Sequence, residues 1–229
     1  MFHYEKAWQD VQARIERAVL AAGRAAGSVQ LVAVSKTFPP EAIRALAGLG
    51  QRAFGENYVQ EAVAKMEALS GLEGIAWHLI GPLQSNKTGM AAERFDWVHS
   101  VDRARIAERL SALRPTEKPP LDVCVQVNIS GETTKSGVPP EDALALARAV
   151  SALPRLRLRG LMGIAEPTPV MASRRGQYRI LRALLESCRA AGLPVDTLSM
   201  GMSDDLEEAI SEGATIVRIG TALFGPRIP

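Results

Sequence analysis

Leu31-Val32-Ala33-Val34-Ser35-Lys36, followed by Thr37-Phe38-Pro39-Pro40, is the stretch on which the reading of the fold turns. Residues 31–35 are almost wholly apolar and rich in valine, the pattern of a short strand covered on both faces, as in a parallel sheet. Lys36 stands at the mouth of that strand. An ammonium is rarely placed next to a core without a partner. Partial desolvation lowers a lysine pKa, and a neutral amine attacks an aldehyde to form a Schiff base. Read by itself, Lys36 is a strand-end lysine whose head group reaches solvent. The rest of the chain changes that reading.

Outward from this strand the pattern repeats. An amphipathic helix comes first, over 4–26, with Val11, Ile15, Val19 and Leu20 at helical spacing. Strands are predicted at 31–35, 52–55, 75–80, 97–100, 121–128, 156–162, 197–199 and 215–219. Helices are predicted between them at 41–49, 59–69, from 85, and at 103–113, 140–153, 174–191 and 204–211, with a last turn at 221–224. Pro139-Pro140-Glu141-Asp142 presets a helix start and puts acids in its first turn, and Ala191-Gly192-Leu193-Pro194 is a helix stop. Strands alternating with helices imply a parallel sheet. Eight such units in this length imply an α/β fold of the closed (β/α)8 barrel (TIM barrel) type, with an extra N-terminal helix and a single domain over 1–229. An open doubly wound sheet is the weaker alternative, because no Gly-x-Gly-x-x-Gly follows the first strand.

Composition excludes several functions. The 229 residues are 47% hydrophobic and 23% charged, as in a globular protein, and the net charge of +2 gives no case for a nucleic-acid or membrane surface. Arginine carries the positive charge, 21 residues against 6 lysines, which leaves few amines for chemistry. Cys124 and Cys188 lie in apolar surroundings without metal-ligand spacing, so both are expected as core thiols and no metal is expected. Glu5, Lys6 and Asp10 interrupt the N-terminus, so no signal-peptide core forms, and no run approaches transmembrane length. A cytoplasmic protein is expected.

In such barrels the active face is built from the loops after the strands. These loops carry Lys36, then Glu56-Asn57-Tyr58, then Gly81 to Lys87 after a strand bearing His78. Asn128-Ile129-Ser130, Met162-Gly163, Ser199-Met200-Gly201-Met202-Ser203-Asp204 and Arg218-Ile219-Gly220-Thr221 follow. Small residues and hydroxyls at the tops of strands seven and eight (Ser199, Gly201, Ser203, Gly220, Thr221) suit an anion, because glycine lets backbone N–H groups come close. Loops seven and eight are the common phosphate site of these barrels. Ser203 and Thr221 as simple helix caps is compatible with that role. Arg218, among apolar neighbours, needs an acceptor: an internal carboxylate or a ring nitrogen of a bound cofactor. An amine, an anion cradle and a cationic donor on one face fit pyridoxal 5'-phosphate (PLP). Lys87 and Lys135 read as solvated, His78 as a strand histidine able to touch the cofactor ring, and Asn57 and Asn128 as pocket or loop residues.

The residues in these positions also form a familiar set: Val32–Lys36, Phe54–Glu61, Trp77–Lys87, Val127–Ser130, Lys135–Gly137, Leu161–Gly163, Leu198–Ser203 and Val217–Gly225. The chain resembles the YggS/PROSC family of PLP homeostasis proteins, whose barrel is similar to the N-terminal domain of alanine racemase. The resemblance implies that Lys36 carries PLP as a Schiff base, with Asn57, His78, Ser199, Met200, Gly201, Ser203, Arg218, Gly220 and Thr221 around the cofactor. It implies a carrier that buffers or delivers PLP, apo PLP-dependent enzymes as recipients, a monomer, and no established catalysis. The segment 166–177 looks short for the family. Two other readings stay open: a small PLP-dependent amino-acid racemase, and a Schiff-base aldolase using Lys36 or Lys135. An arginine against the ring nitrogen disfavours its protonation and so argues against carbanion chemistry. Tyr4, Tyr58 and Tyr178 offer no evident racemase base.

Overall fold

The computed structural model describes residues 3–132 and 135–226; the remaining residues of the expected 1–229 domain lie outside it. Eight parallel strands close into a barrel in sequence order, β1 to β8: Gln30–Val34, Ala53–Glu56, Ala76–Leu79, Trp97–Val101, Leu121–Val127, Leu156–Gly163, Thr197–Ser199 and Ile216–Ile219. β1 closes the ring against β8, with Val32 beside Arg218. Helices α1 to α9 span Tyr4–Ala21, Pro40–Gly48, Val59–Ala68, Thr88–Arg94, Ala104–Leu113, Ala143–Ser151, Met171–Ala190, Leu206–Ser211 and Thr221–Phe224. The expected (β/α)8 barrel is therefore the fold.

The apolar residues divide into two compartments because strand side chains alternate between faces. The larger lies between barrel and helices, and includes Ile43, Leu46, Phe54, Leu79, Leu110, Leu161 and Leu181. The smaller gathers Val32, Ala53 and Ile216 with Trp97. Arg159 covers the Trp97 ring at 4.9 Å and pairs with Asp122 and Asp196 at 3.3 and 2.7 Å. Asp122 also binds Arg157. Cys124 and Cys188 are buried free thiols, as the sequence implies.

Most boundaries shift by a residue or two, the helix expected from 85 opens as a 3-10 turn over Ser85–Lys87, and three further differences affect the packing. α1 stops at Ala21 rather than 26, and Gly23 and Gly27 behind it take left-handed φ of 66° and 74°. Leu20, expected on its buried face, is exposed; Val11, Ile15, Ala18 and Val19 fill that face instead. The helix expected from Pro140 opens as a 3-10 turn, Pro140–Asp142, before α6. α7 starts at Met171, three residues early, so the short segment ahead of it is partly helix.

Candidate functional site

The strand ends at the C-terminal face surround a cavity of about 220 Å³ lined by Val34, Lys36, Asn57, Ile80, Ile164, Met202, Ser203, Asp204, Arg218, Gly220 and Thr221. Lys36 is half-buried and is the second residue past β1. The turn bearing it is held tightly. The buried Lys65 of α3 donates to Ser35 O, to Glu56 Oε1 and to Glu61 Oε1, each at 2.7 Å. Ser35 Oγ donates to the same Glu56 oxygen at 2.7 Å, and Glu61 accepts the Thr37 backbone N–H at 2.5 Å. Thr37 is left-handed at φ 68°, which costs energy for a β-branched residue and needs such support. Both neighbours of Lys36 are thus anchored. Burial holds the Glu56 carboxyl above its usual range, with Lys65 pulling the other way.

On the neighbouring strand β8, Arg218 is almost wholly buried. Its Nη1 donates to Ser199 Oγ at 2.7 Å and its Nη2 to Gly163 O at 3.0 Å. Among the described residues no carboxylate ion-pairs with it. The internal-carboxylate partner considered from sequence is therefore replaced by a hydroxyl and a carbonyl. Burial lowers its pKa, opposed by the nearby Tyr178, Asp205 and Cys124. Lys36 and Arg218 give the cavity two cationic side chains, with Asp204 on the rim.

The loop after β7 is shaped from behind. Asp205 accepts the Met202 N–H at 2.6 Å on one oxygen and the Tyr178 hydroxyl at 2.7 Å on the other. Arg14 of α1 donates to Ser203 O at 3.1 Å while paired with Glu207. Gly201 is left-handed, φ 94°, and a Cβ there would stand 2.6 Å from Ala209 Cβ, so only glycine lets the loop lie on α8. Phe38, beyond Lys36, stacks on Phe224 of α9 at 5.0 Å and joins loop one to loop eight.

Six of the ten residues singled out in the sequence line the cavity: Lys36, Asn57, Ser203, Arg218, Gly220 and Thr221. The other four stand behind it. Met200 is fully buried among core residues, and Gly201 faces α8. The Ser199 hydroxyl is spent on Arg218 and on His99 Nδ1 at 2.8 Å, not on the cavity. His78 is fully buried, its Nδ1 2.9 Å from His99 Nε2 and its ring stacked on Trp97 at 5.3 Å. In this loop the cavity lining therefore begins at Met202, because Ser199 is turned to Arg218, Met200 into the core and Gly201 onto α8. Lys135, read as solvated, is part-buried, pairs with Glu132 at 2.6 Å and lines an adjoining lobe with Gln126, Asn128 and Ser136. Lys87 ends a 3-10 turn outside the cavity.

Sequence reasoning missed Lys65, Glu61, His99 and Asp205. Lys65 carried a faint signal: a lysine three residues after Ala62 falls on the buried face of α3.

The family model described as alanine racemase, N-terminal domain, matches residues 10–228. A pyridoxal phosphate homeostasis protein of Pseudomonas aeruginosa is 59% identical over 217 residues, covering 95% of this chain and 93% of the relative. The chain belongs to this family. The Escherichia coli (strain K12) member is 50% identical over 224 residues, covering 95% and 94%. PipY of Synechococcus elongatus PCC7942, solved with PLP bound, superimposes with a TM-score of 0.80 at 40% identity, over 92% of this chain and all of that one. An alanine racemase from Corynebacterium glutamicum shares the fold at a TM-score of 0.67 and 18% identity, and this chain covers 61% of its length. Members of the homeostasis family are named for homeostasis rather than for a reaction. No helix among the described residues is long and apolar enough to cross a membrane.

Proposed function

We propose that this protein binds PLP through Lys36 and serves in intracellular PLP homeostasis, as a cytoplasmic monomer that buffers the cofactor or passes it to apo PLP-dependent enzymes, without turning over amino acids itself. One observation carries the reading: Lys36 and Arg218 face a single cavity whose rim holds Ser203 and Thr221. The donor set fits the group. Lys36 supplies the amine for an aldehyde, Ser203, Gly220 and Thr221 offer hydroxyls and backbone to a phosphate, and Arg218 offers N–H to a ring nitrogen. Asn57 and Ile80 line the same cavity. When bound, PLP supplies an electrophilic aldehyde and an electron-withdrawing ring.

The residues also favour holding over catalysis. Arg218 is a permanent donor, so a ring nitrogen held against it would accept a hydrogen bond and stay unprotonated, which would weaken the ring as an electron sink. Tyr178, buried and donating to Asp205, has its pKa raised by burial and by that carboxylate, which removes it as a racemase base. Tyr58 is exposed at the start of α3.

The test is to mix the protein with PLP, reduce with borohydride, digest, and map the adduct by mass. The expected result is one adduct, on Lys36, lost in Lys36→Ala. No adduct, or one scattered over surface lysines, would overturn the reading and return attention to an aldolase. Transfer of PLP to an apo-enzyme supports the carrier role, and catalytic exchange of an amino-acid α-proton with solvent would instead establish the racemase alternative.

A further inference from the structure

Four polar side chains are buried where apolar ones would pack at lower cost: Arg218 on β8, Ser199 on β7, His99 on β4 and His78 on β3. They form one continuous chain. Arg218 Nη1 donates to Ser199 Oγ at 2.7 Å, Ser199 Oγ lies 2.8 Å from His99 Nδ1, and His99 Nε2 lies 2.9 Å from His78 Nδ1. At the far end, His78 Nε2 is buried without a partner among the described residues.

Hydrogen-bond inventory decides the direction of the chain. If every donor points away from Arg218, the Ser199 hydroxyl donates to His99, and His99 Nε2–H donates to His78. Only the His78 Nε2–H is then stranded. If the donors point toward Arg218, the Ser199 hydrogen and the His78 Nε2 lone pair are both unmatched. The first arrangement strands fewer groups, and bonds aligned head to tail from a cation strengthen one another. Both rings are held neutral, His78 and His99 alike by burial, with His78 and then Arg218 adding to the effect on His99.

We propose that Ser199, His99 and His78 are positioning residues: a neutral relay, with its donors running away from Arg218, that fixes the guanidinium at the cavity without a carboxylate and so leaves its charge available to an incoming ligand. A carboxylate in the place of Ser199 would fix the arginine equally well and neutralise it. The role toward PLP rests on the function proposed above; the direction of the relay does not.

Two measurements test it. Nitrogen NMR of the imidazoles in ligand-free protein reads the tautomers. Unprotonated Nδ1 in both rings is expected, and Nδ1–H on either ring, or a charged ring, overturns the relay. Second, Ser199→Ala is expected to weaken PLP retention roughly tenfold and to shift the absorption band of the bound cofactor, and Ser199→Thr, which keeps the hydroxyl, restores both. A Ser199→Ala protein matching the unaltered one in affinity and band overturns the positioning role. If the unaltered protein takes no PLP on Lys36, the cofactor reading fails, while the nitrogen spectra still decide the relay.

Discussion

Lys65 and Arg218 are both buried cations beside the barrel mouth, and they are compensated in opposite ways. Lys65 sits between two carboxylates, Glu56 and Glu61, and a carbonyl. Arg218 has a hydroxyl and a carbonyl. The first arrangement closes on itself: charge is matched, and the cluster holds the backbone on either side of Lys36. The second stays electrically open toward the cavity. A buried charge that the protein matches internally serves architecture, whereas one that it fixes but does not match is available for a ligand. The same rule holds at Trp97, where Arg159 meets Asp122 and Asp196.

The contrast can be broken most directly by deleting each cation. Lys65→Met strands Glu56 inside the protein and is expected to cost about 3–5 kcal/mol in urea unfolding. Arg218→Leu strands only a carbonyl, because Ser199 keeps His99, and is expected to cost under about 2 kcal/mol while PLP retention falls roughly a hundredfold. Equal stability losses in the two variants would end the distinction.

Acid sharpens it next. The pKa of His78 is pushed down to about 3 and that of His99 well below its usual value. The unfolded chain, at about 6.5, then takes up protons first. For His78, stability is full above about pH 6.5 and falls toward pH 3, by about 1.4 kcal/mol per pH unit, or about 2 kcal/mol by pH 5, and His99 adds a loss in the same direction. Glu56 works the other way: its carboxyl is raised, so the folded state protonates it first and acidification costs nothing there. The Arg218 side should therefore yield first, and urea midpoints that stay level from pH 7 to 5 would refute it.

The smallest effects separate two glycines near the proposed anion cradle. Gly201→Ala meets Ala209 at a left-handed φ and is expected to cost about 2 kcal/mol by thermal unfolding. At Gly220 the added Cβ would find Val34 O at 3.4 Å, with no positive φ, so Gly220→Ala is expected to cost under about 1 kcal/mol. Similar melting temperatures for both would show that loop seven can slide away from α8.

The sequence by itself determined the barrel, the end of it that carries chemistry, and six of the residues lining the cavity. Those features are local. Buried strands read as short valine-rich runs, each strand is followed by its own helix, and a loop residue announces itself by standing after a strand. The strip Leu31 to Lys36 shows this directly, since strand, mouth and amine are consecutive. Only the tertiary structure decided which side chains the loops turn toward the cavity and which inward. Ser199 and Ser203 are four residues apart in the same loop region, yet one braces Arg218 and the other faces the cavity. That outcome depends on the φ of Gly201 and its contact with α8, neither of which is a property of the loop alone. The partners of the buried cations were equally hidden. Lys65 meets Ser35 across 30 positions and His99 meets Ser199 across 100, and such pairs exist only once separate strands and helices have packed together.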